Sequence, residues 1–229
     1  MTANSAGGVL IFGGTRGTGL EIAKILVASG DSPTCVIRPS SDSSELEAAG
    51  VAAVVGDALE PDSVARAFDS GAYRAVVISL GGKRGEPRRP DFEGACNIVD
   101  AAQRHDVSRA LMITAIGAGD SRSAVAPKVI EVLGEILAIK TKAEDYMMQA
   151  GIDATILRPG GMTSDPASGT AIKTEDHSLM GVINRADLAQ LTVDCIDDES
   201  AIGKIYHTVD PQITWQAPLQ RGEDLGTKK

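Results

Sequence analysis

The chain has little of what builds a disulfide scaffold, a metal cluster or an aromatic recognition surface. Of its 229 residues only three are cysteine, three histidine, three tyrosine, three phenylalanine and one tryptophan. Cys35, Cys96 and Cys195 lie far apart inside apolar stretches, which gives neither the close ligand spacing of a zinc site nor the even set of a disulfide framework. They read as buried, inert thiols. His105, His177 and His207 are equally scattered, so no metal is expected. No apolar run reaches the length of about eighteen residues that a membrane helix needs. Met1-Thr2-Ala3-Asn4-Ser5 lacks the basic residues and apolar core of a leader, so a cytoplasmic protein is expected. Positive charge is short as well: 22 Lys and Arg against 31 Asp and Glu leave a net −9. Such a surface repels nucleic acid and anionic membranes, and a small-molecule partner is expected instead. Nothing here fixes an oligomeric state.

What is present is glycine, 25 residues, and apolar side chains, 43% of the chain. Apolar runs at 9–12, 34–37, 51–55, 75–79, 110–114, 154–157 and 204–209 read as strands. Helical segments at 17–29, 64–68, 92–105, 129–150 and 187–196 separate them. That alternation predicts an α/β fold: a Rossmann-type, doubly wound parallel sheet with a small substrate-covering segment. One domain over 1–229 is expected, with a core at 9–209 and a polar tail at 210–229. Two segments break the rhythm. Gly81-Gly82-Lys83-Arg84-Gly85-Glu86-Pro87-Arg88-Arg89-Pro90 is a basic loop after the fourth strand, and 163–180 is polar and glycine-containing, placed to act as a lid.

The first strand passes into the first helix through Gly13-Gly14-Thr15-Arg16-Gly17-Thr18-Gly19. Gly13 permits a tight turn, Gly17 lets a pyrophosphate approach the backbone, and Gly19 lets the helix pack closely on the sheet. The amides at the helix start then face the phosphates. The spacing of these glycines resembles the short-chain dehydrogenase/reductase family, in particular its atypical branches, flavin/biliverdin reductase-like and NmrA-like. Asp57, in Val54-Val55-Gly56-Asp57-Ala58, stands where the family places an aspartate against the adenine. Leu157-Arg158-Pro159-Gly160-Gly161-Met162 resembles the segment that atypical members pass beneath the nicotinamide. The resemblance runs from about Val9 to Val209.

NAD-selective proteins of this fold carry an acid at the end of the second strand. Here that strand ends in Ile37-Arg38-Pro39-Ser40-Ser41, and Asp42 falls beyond it. Arg38, Ser40 and, from the glycine turn, Arg16 are suited to a 2′-phosphate, so NADP(H) is the expected cofactor. The full cofactor set implied by the turn and the resemblance is Gly13, Thr15, Arg16, Gly17, Thr18, Arg38, Ser40, Asp57, Ala58, Ser79, Leu80, Gly81, Lys140, Pro159, Gly160, Gly161 and Met162.

The resemblance also implies a tyrosine and, four residues on, a lysine that lowers its pKa. Lys140 aligns with that lysine, but Ile136 holds the tyrosine's place, and Tyr73, Tyr146 and Tyr206 have no lysine at that spacing. The family's serine position reads Thr114-Ala115, leaving Thr114 as its hydroxyl. Lys140 and Thr114 are the candidate catalytic residues, although Lys140 could instead pair with Glu144 one turn on. The expectation is a reductase whose acceptor delocalises charge and takes its proton from water: a quinone, flavin, conjugated enone or tetrapyrrole. The same missing tyrosine fits a non-catalytic NADP(H)-binding sensor or assembly protein.

Overall fold

Strand β1 (Gly8–Phe12) has no solvent side: Val9, Leu10 and Ile11 are 0% exposed and Phe12 1%. A strand buried on both faces needs helices above and below it. In the computed structural model, which describes residues 7–82 and 88–214, the chain continues through α1 (Gly17–Ala28), β2 (Pro33–Ile37), α2 (Ser44–Ala48), β3 (Ala52–Val55), α3 (Pro61–Asp69) and β4 (Tyr73–Ile78). The second half runs α4 (Glu93–Arg104), β5 (Arg109–Ile113), a 3-10 turn Gly119–Ala124, α5 (Pro127–Gln149), β6 (Asp153–Pro159), β7 (Gly161–Thr163), β8 (Ile172–Thr174), β9 (Val182–Asn184), α6 (Arg185–Asp194) and β10 (Lys204–Val209).

The main sheet has eight strands in the order β3-β2-β1-β4-β5-β6-β10-β8. All neighbours are parallel except β8, which lies antiparallel on β10. This is the expected doubly wound Rossmann-like sheet, with helices on both sides. Alternation along β1 sorts the helices. Val9 and Ile11 share a core with Leu20, Ile22 and Leu26 of α1 and Leu188 of α6. Leu10 and Phe12 face Val64 and Phe68 of α3, Ile98 of α4 and Met147 of α5. The strand order reverses at β1, and ligands of open α/β sheets bind there, beyond the carboxyl ends of the strands.

Three short strands and α2 escaped the sequence reading, since three to five residues carry too little periodicity. β7 pairs with β9 beside the main sheet, Met162 opposite Ile183, and β8 lies inside the segment read as a lid. α3 and α5 start earlier than expected, each with proline in its first turn, where a missing N–H is harmless. The polar tail does not begin at 210. Asp210 is 1% exposed, its amide donates to Val182, and its carboxylate accepts from Ser168 and Thr170. Residues 215–229 of that tail lie outside the described residues. Cys35 and Cys195 are buried as expected, whereas Cys96 is only half-buried. Burial pushes the Cys35 thiol up to about 12 and that of Cys96 to about 11. Among the described residues, no helix is long and apolar enough to cross a membrane.

One cation ties the far end of the sheet together. Arg109 of β5, 8% exposed, donates from Nε to Ile196 O (3.0 Å), from Nη1 to Asp153 O (2.6 Å), and from Nη2 to Cys195 O (2.5 Å) and Thr155 Oγ1 (2.7 Å). The carbonyls of Cys195 and Ile196 end α6, so the guanidinium meets the negative pole of that helix. Arg109→Leu leaves these acceptors buried without donors and should lower unfolding free energy by about 3 kcal/mol. Urea titration checks this, and a loss below about 1 kcal/mol would mean that water replaces the guanidinium.

Candidate functional site

The turn between β1 and α1 is shaped by two steric facts. A β-carbon on Gly13, where φ is +90°, would stand 2.2 Å from the Ser79 carbonyl oxygen. One on Gly19 would stand 2.3 Å from the oxygen of Gly13, so only glycine lets the helix start this close to the strand end. The N-cap of α1, Arg16, makes no side-chain capping bond, and the first turn carries no acid. The unclaimed amides and the helix dipole therefore suit an anion, and a dinucleotide pyrophosphate fits this cradle. Thr18 is buried and Thr15 half-buried beside it.

The other sequence-nominated residues gather at the same end of the sheet. Arg38 and Ser40 follow β2, and Asp57 and Ala58 follow β3. Ser79, Leu80 and Gly81 follow β4, Thr114 follows β5, and Pro159 ends β6 with Gly160, Gly161 and Met162 after it. Arg16, Arg38 and Ser40 are exposed. Asp42 Oδ1 accepts from Ser44 N at 2.9 Å, which commits it to the start of α2. Asp57 Oδ1 accepts from Leu59 N at 2.9 Å, and the carbonyl of Ala58 accepts from Asn97 Nδ2 at 2.9 Å. In the basic loop, Arg88 is paired with Glu60 and Glu93; Lys83 and Arg84 lie outside the described residues.

Lys140 reaches the end of β4, with Nζ donating to Leu80 O at 3.3 Å. Its ionic partner is not Glu144 but Asp91, at 3.2 Å. The Asp91 side chain is 1% exposed, and its other oxygen accepts from Gly82 N (2.9 Å) and meets Arg89 Nη2 (3.0 Å). The carboxylate is thus held through one oxygen, while the other, which makes no hydrogen bond among the described residues, faces the lysine as a purely ionic partner.

Glu144 serves a different group. It is buried against Arg158 of β6, with Nη2 to Oε2 at 2.7 Å and Nε to Oε1 at 3.1 Å. Thr114 Oγ1 donates to the same Oε1 at 2.5 Å. The hydroxyl proposed as a catalytic donor is therefore already donating inward, away from any acceptor above the sheet. Arg158 also pairs with Asp120 at 2.6 Å, and Asp120 reaches His177 Nδ1 at 2.8 Å. Burial opposes ionisation of Asp120, but Arg158 and His177 hold its carboxyl down at about 2. His207 stacks on His177 with ring centroids 4.9 Å apart, burial lowers its pKa, and its Nδ1 donates to Leu179 O.

No tyrosine replaces the absent phenol at Ile136. Tyr73 begins β4 at the opposite end of the sheet. Tyr146 donates to Asp100 at 2.5 Å, and that bond pushes its pKa up to about 12, the wrong direction for proton transfer. Tyr206 lies in β10 under the Lys173 ammonium. Instead, the site has an apolar rim. α5 has 23 residues, about 34 Å, against about 20 Å for the strands, so its first turns overhang the sheet. Val129, Leu133, Ile136 and Lys140 repeat at helical spacing along it. Leu133 is 41% exposed, and Met162 and Met180 are each 42% exposed. Val129 and Leu179 pack on the same small cluster of Ile116, Val125 and Val209, which brings the 163–180 segment beside this helix.

Sequence reasoning missed Asp91, Glu144 as the partner of Arg158, Asp120 and His177. Each is a lone polar residue whose partner is distant in sequence, so no local pattern marks it.

An open parallel sheet with a glycine cradle at its switch point is the architecture of a dinucleotide-binding protein. The chain belongs to the NAD(P)H-binding family, whose model matches residues 13–199. Its fold is similar to that of ChuY, an anaerobilin reductase from Escherichia coli O157:H7, with a TM-score of 0.82 and 25% identity over 91% of this chain and 99% of that one. It is 27% identical to an uncharacterised chloroplastic protein of Arabidopsis thaliana, over 95% of this chain and 80% of that one. It is 24% identical to the photosystem II assembly factor Ycf39 of Synechocystis, over 88% of this chain and 62% of that protein. The fold is reductase-like and related to that of an anaerobilin reductase.

His177 generates a pH prediction. Its Nδ1 faces Asp120, and its Nε2 lies 2.9 Å from the Ile205 carbonyl, so both nitrogens find acceptors and only the imidazolium satisfies both. Burial opposes that charge and Arg158 repels it, but Ile205 and Asp120 outweigh both and raise the pKa above 6.5; His207, its own pKa lowered by burial, stacks alongside, and Asp176 lies nearby. A raised folded-state pKa gives stability that is complete below the ordinary value and lost as pH rises through the folded value. His177→Gln should therefore cost more stability at about pH 5.5 than at about pH 8, measured by urea unfolding at both. An equal loss at both would assign the ring a packing role only.

Proposed function

We propose that this protein is an NADPH-dependent reductase that passes hydride to a small conjugated acceptor, a quinone, flavin, enone or tetrapyrrole, without a catalytic tyrosine. The observation that carries the reading is Lys140 held by buried Asp91 at the end of β4, with Ile136 and an apolar rim on the helix turns above it. A bound nicotinamide would supply the hydride. Lys140 supplies a positioned cation, able to bind a ribose hydroxyl or to stabilise negative charge developing on an acceptor. Leu133, Met162 and Met180 offer polarisable, apolar surface to a flat conjugated molecule. With Ile136 where the catalytic tyrosine would stand, the proton is drawn from solvent, which suits acceptors that spread charge. The likeness to an anaerobilin reductase supports this class of acceptor.

Arg16 and Arg38, exposed and without carboxylate partners among the described residues, favour the 2′-phosphate. NADPH should bind more tightly than NADH, and Arg38→Ala should narrow that gap by roughly tenfold, the worth of one charge-assisted hydrogen bond. Equal dissociation constants for the two cofactors in the parent protein, by fluorescence titration, would sink the assignment.

Tyr146→Phe should leave turnover nearly unchanged, since its hydroxyl serves Asp100. Lys140→Ala should reduce turnover or cofactor affinity by about tenfold or more. Steady-state kinetics on both variants test the pair, and the reverse pattern would defeat the solvent-proton mechanism.

A second reading is a protein that holds the nucleotide without turning it over. It is favoured by the engagement of Thr114 with Glu144 and by the likeness to an assembly factor. Tight NADPH binding with no oxidation by quinones, flavins or enones would select it.

A further inference from the structure

The first residue of α6 stands over the first residue of α1. Arg185 Cδ and Nε both lie 3.5 Å from the point where a β-carbon on Gly17 would be, and Gly17 opens the helix with φ +58°. Helices α1 and α6 pack side by side in the same core, which is what brings the two N-termini together. Among the described residues, Arg185 bonds through Nη1, to Thr163 O and to Ser164 Oγ, each at 2.9 Å. It has no carboxylate partner among the described residues.

A half-buried guanidinium that faces no acid among the described residues, and whose Nε lies beside Gly17 at the start of α1, is suited to an anion. We infer that Arg185 is a pyrophosphate-binding residue, supplied from the opposite side of the cradle to the α1 amides. The inference rests on the dinucleotide reading of the turn and adds to it a residue outside the glycine motif. It also gives the cofactor a mechanical link, because the same guanidinium is bonded to residues 163 and 164, where the 163–180 segment leaves β7. A pyrophosphate that fixes Arg185 fixes the root of that segment, and the acceptor then meets a site whose covering strand is already anchored.

The test separates phosphate binding from packing. Arg185→Gln should raise the dissociation constants of NADPH and NADH alike by about tenfold, as expected for one charge-assisted contact. It should leave the affinity for adenosine 2′-monophosphate, which has no pyrophosphate, unchanged by calorimetry. Ser164→Ala removes one internal bond of the guanidinium without removing its charge and should leave NADPH affinity unchanged. If Arg185→Gln does not fold, Arg185→Lys, which keeps the charge and loses the fork, should give a smaller loss in the same ligand pattern. Unchanged NADPH affinity in a folded Arg185 variant overturns the inference, and so does an equal loss for adenosine 2′-monophosphate. Failure of the parent protein to bind either dinucleotide overturns the reading of the turn itself.

Discussion

The start of α1 is set by a carbonyl oxygen. With the Gly13 oxygen 2.3 Å from where a side chain at position 19 would begin, the helix can lie against the end of β1 only if that residue has none. Close docking of α1 on the sheet has further effects. It lets α6 pack alongside in the core formed by Val9 and Ile11, and so fixes the approach of β9, Arg185 and the 160–164 segment to the same end of the sheet. The geometry of the phosphate cradle and the layering of half the molecule thus follow from one exclusion of volume.

Deeper in the site, a buried ion pair takes up the hydroxyl at the end of β5. Arg158 and Glu144 are a buried pair, 2% and 3% exposed, and burying two charges is repaid only when their remaining donors and acceptors are satisfied. Thr114 and Asp120 complete that set. The hydroxyl at the end of β5 is consumed in satisfying a carboxylate, while Lys140, from the middle of α5, reaches the end of β4. Its own partner, Asp91, is held by a backbone amide and Arg89. The site therefore holds a cation beside a buried carboxylate, with exposed apolar side chains on the elements around it.

The sheet was legible because its strands are long, apolar and separated by helix-length segments, and because Gly13, Gly17 and Gly19 mark a turn with few physical alternatives. Lys140 was legible through its spacing from Ile136. The partners were not: Asp91 is 49 residues from Lys140, and only the packing of α4 against α5 brings them together. Glu144 misled for the same reason, since helical spacing offers it to Lys140 while the end of β6 offers it a buried guanidinium. The short strands β7, β8 and β9 exist by pairing rather than by propensity, so three residues of sequence could not announce them.

The position of β8 makes one segment answer for two properties. This three-residue strand is both part of the 163–180 stretch and the last strand of the main sheet, with Ile172 opposite Val209 and Thr174 opposite His207. Detaching β8 would uncover the backbone donors and acceptors of β10, which otherwise pairs parallel with β6. Exposed edges of that kind recruit other chains. The three residues of β8 thus guard the edge of the main sheet, and colloidal stability depends on their staying paired.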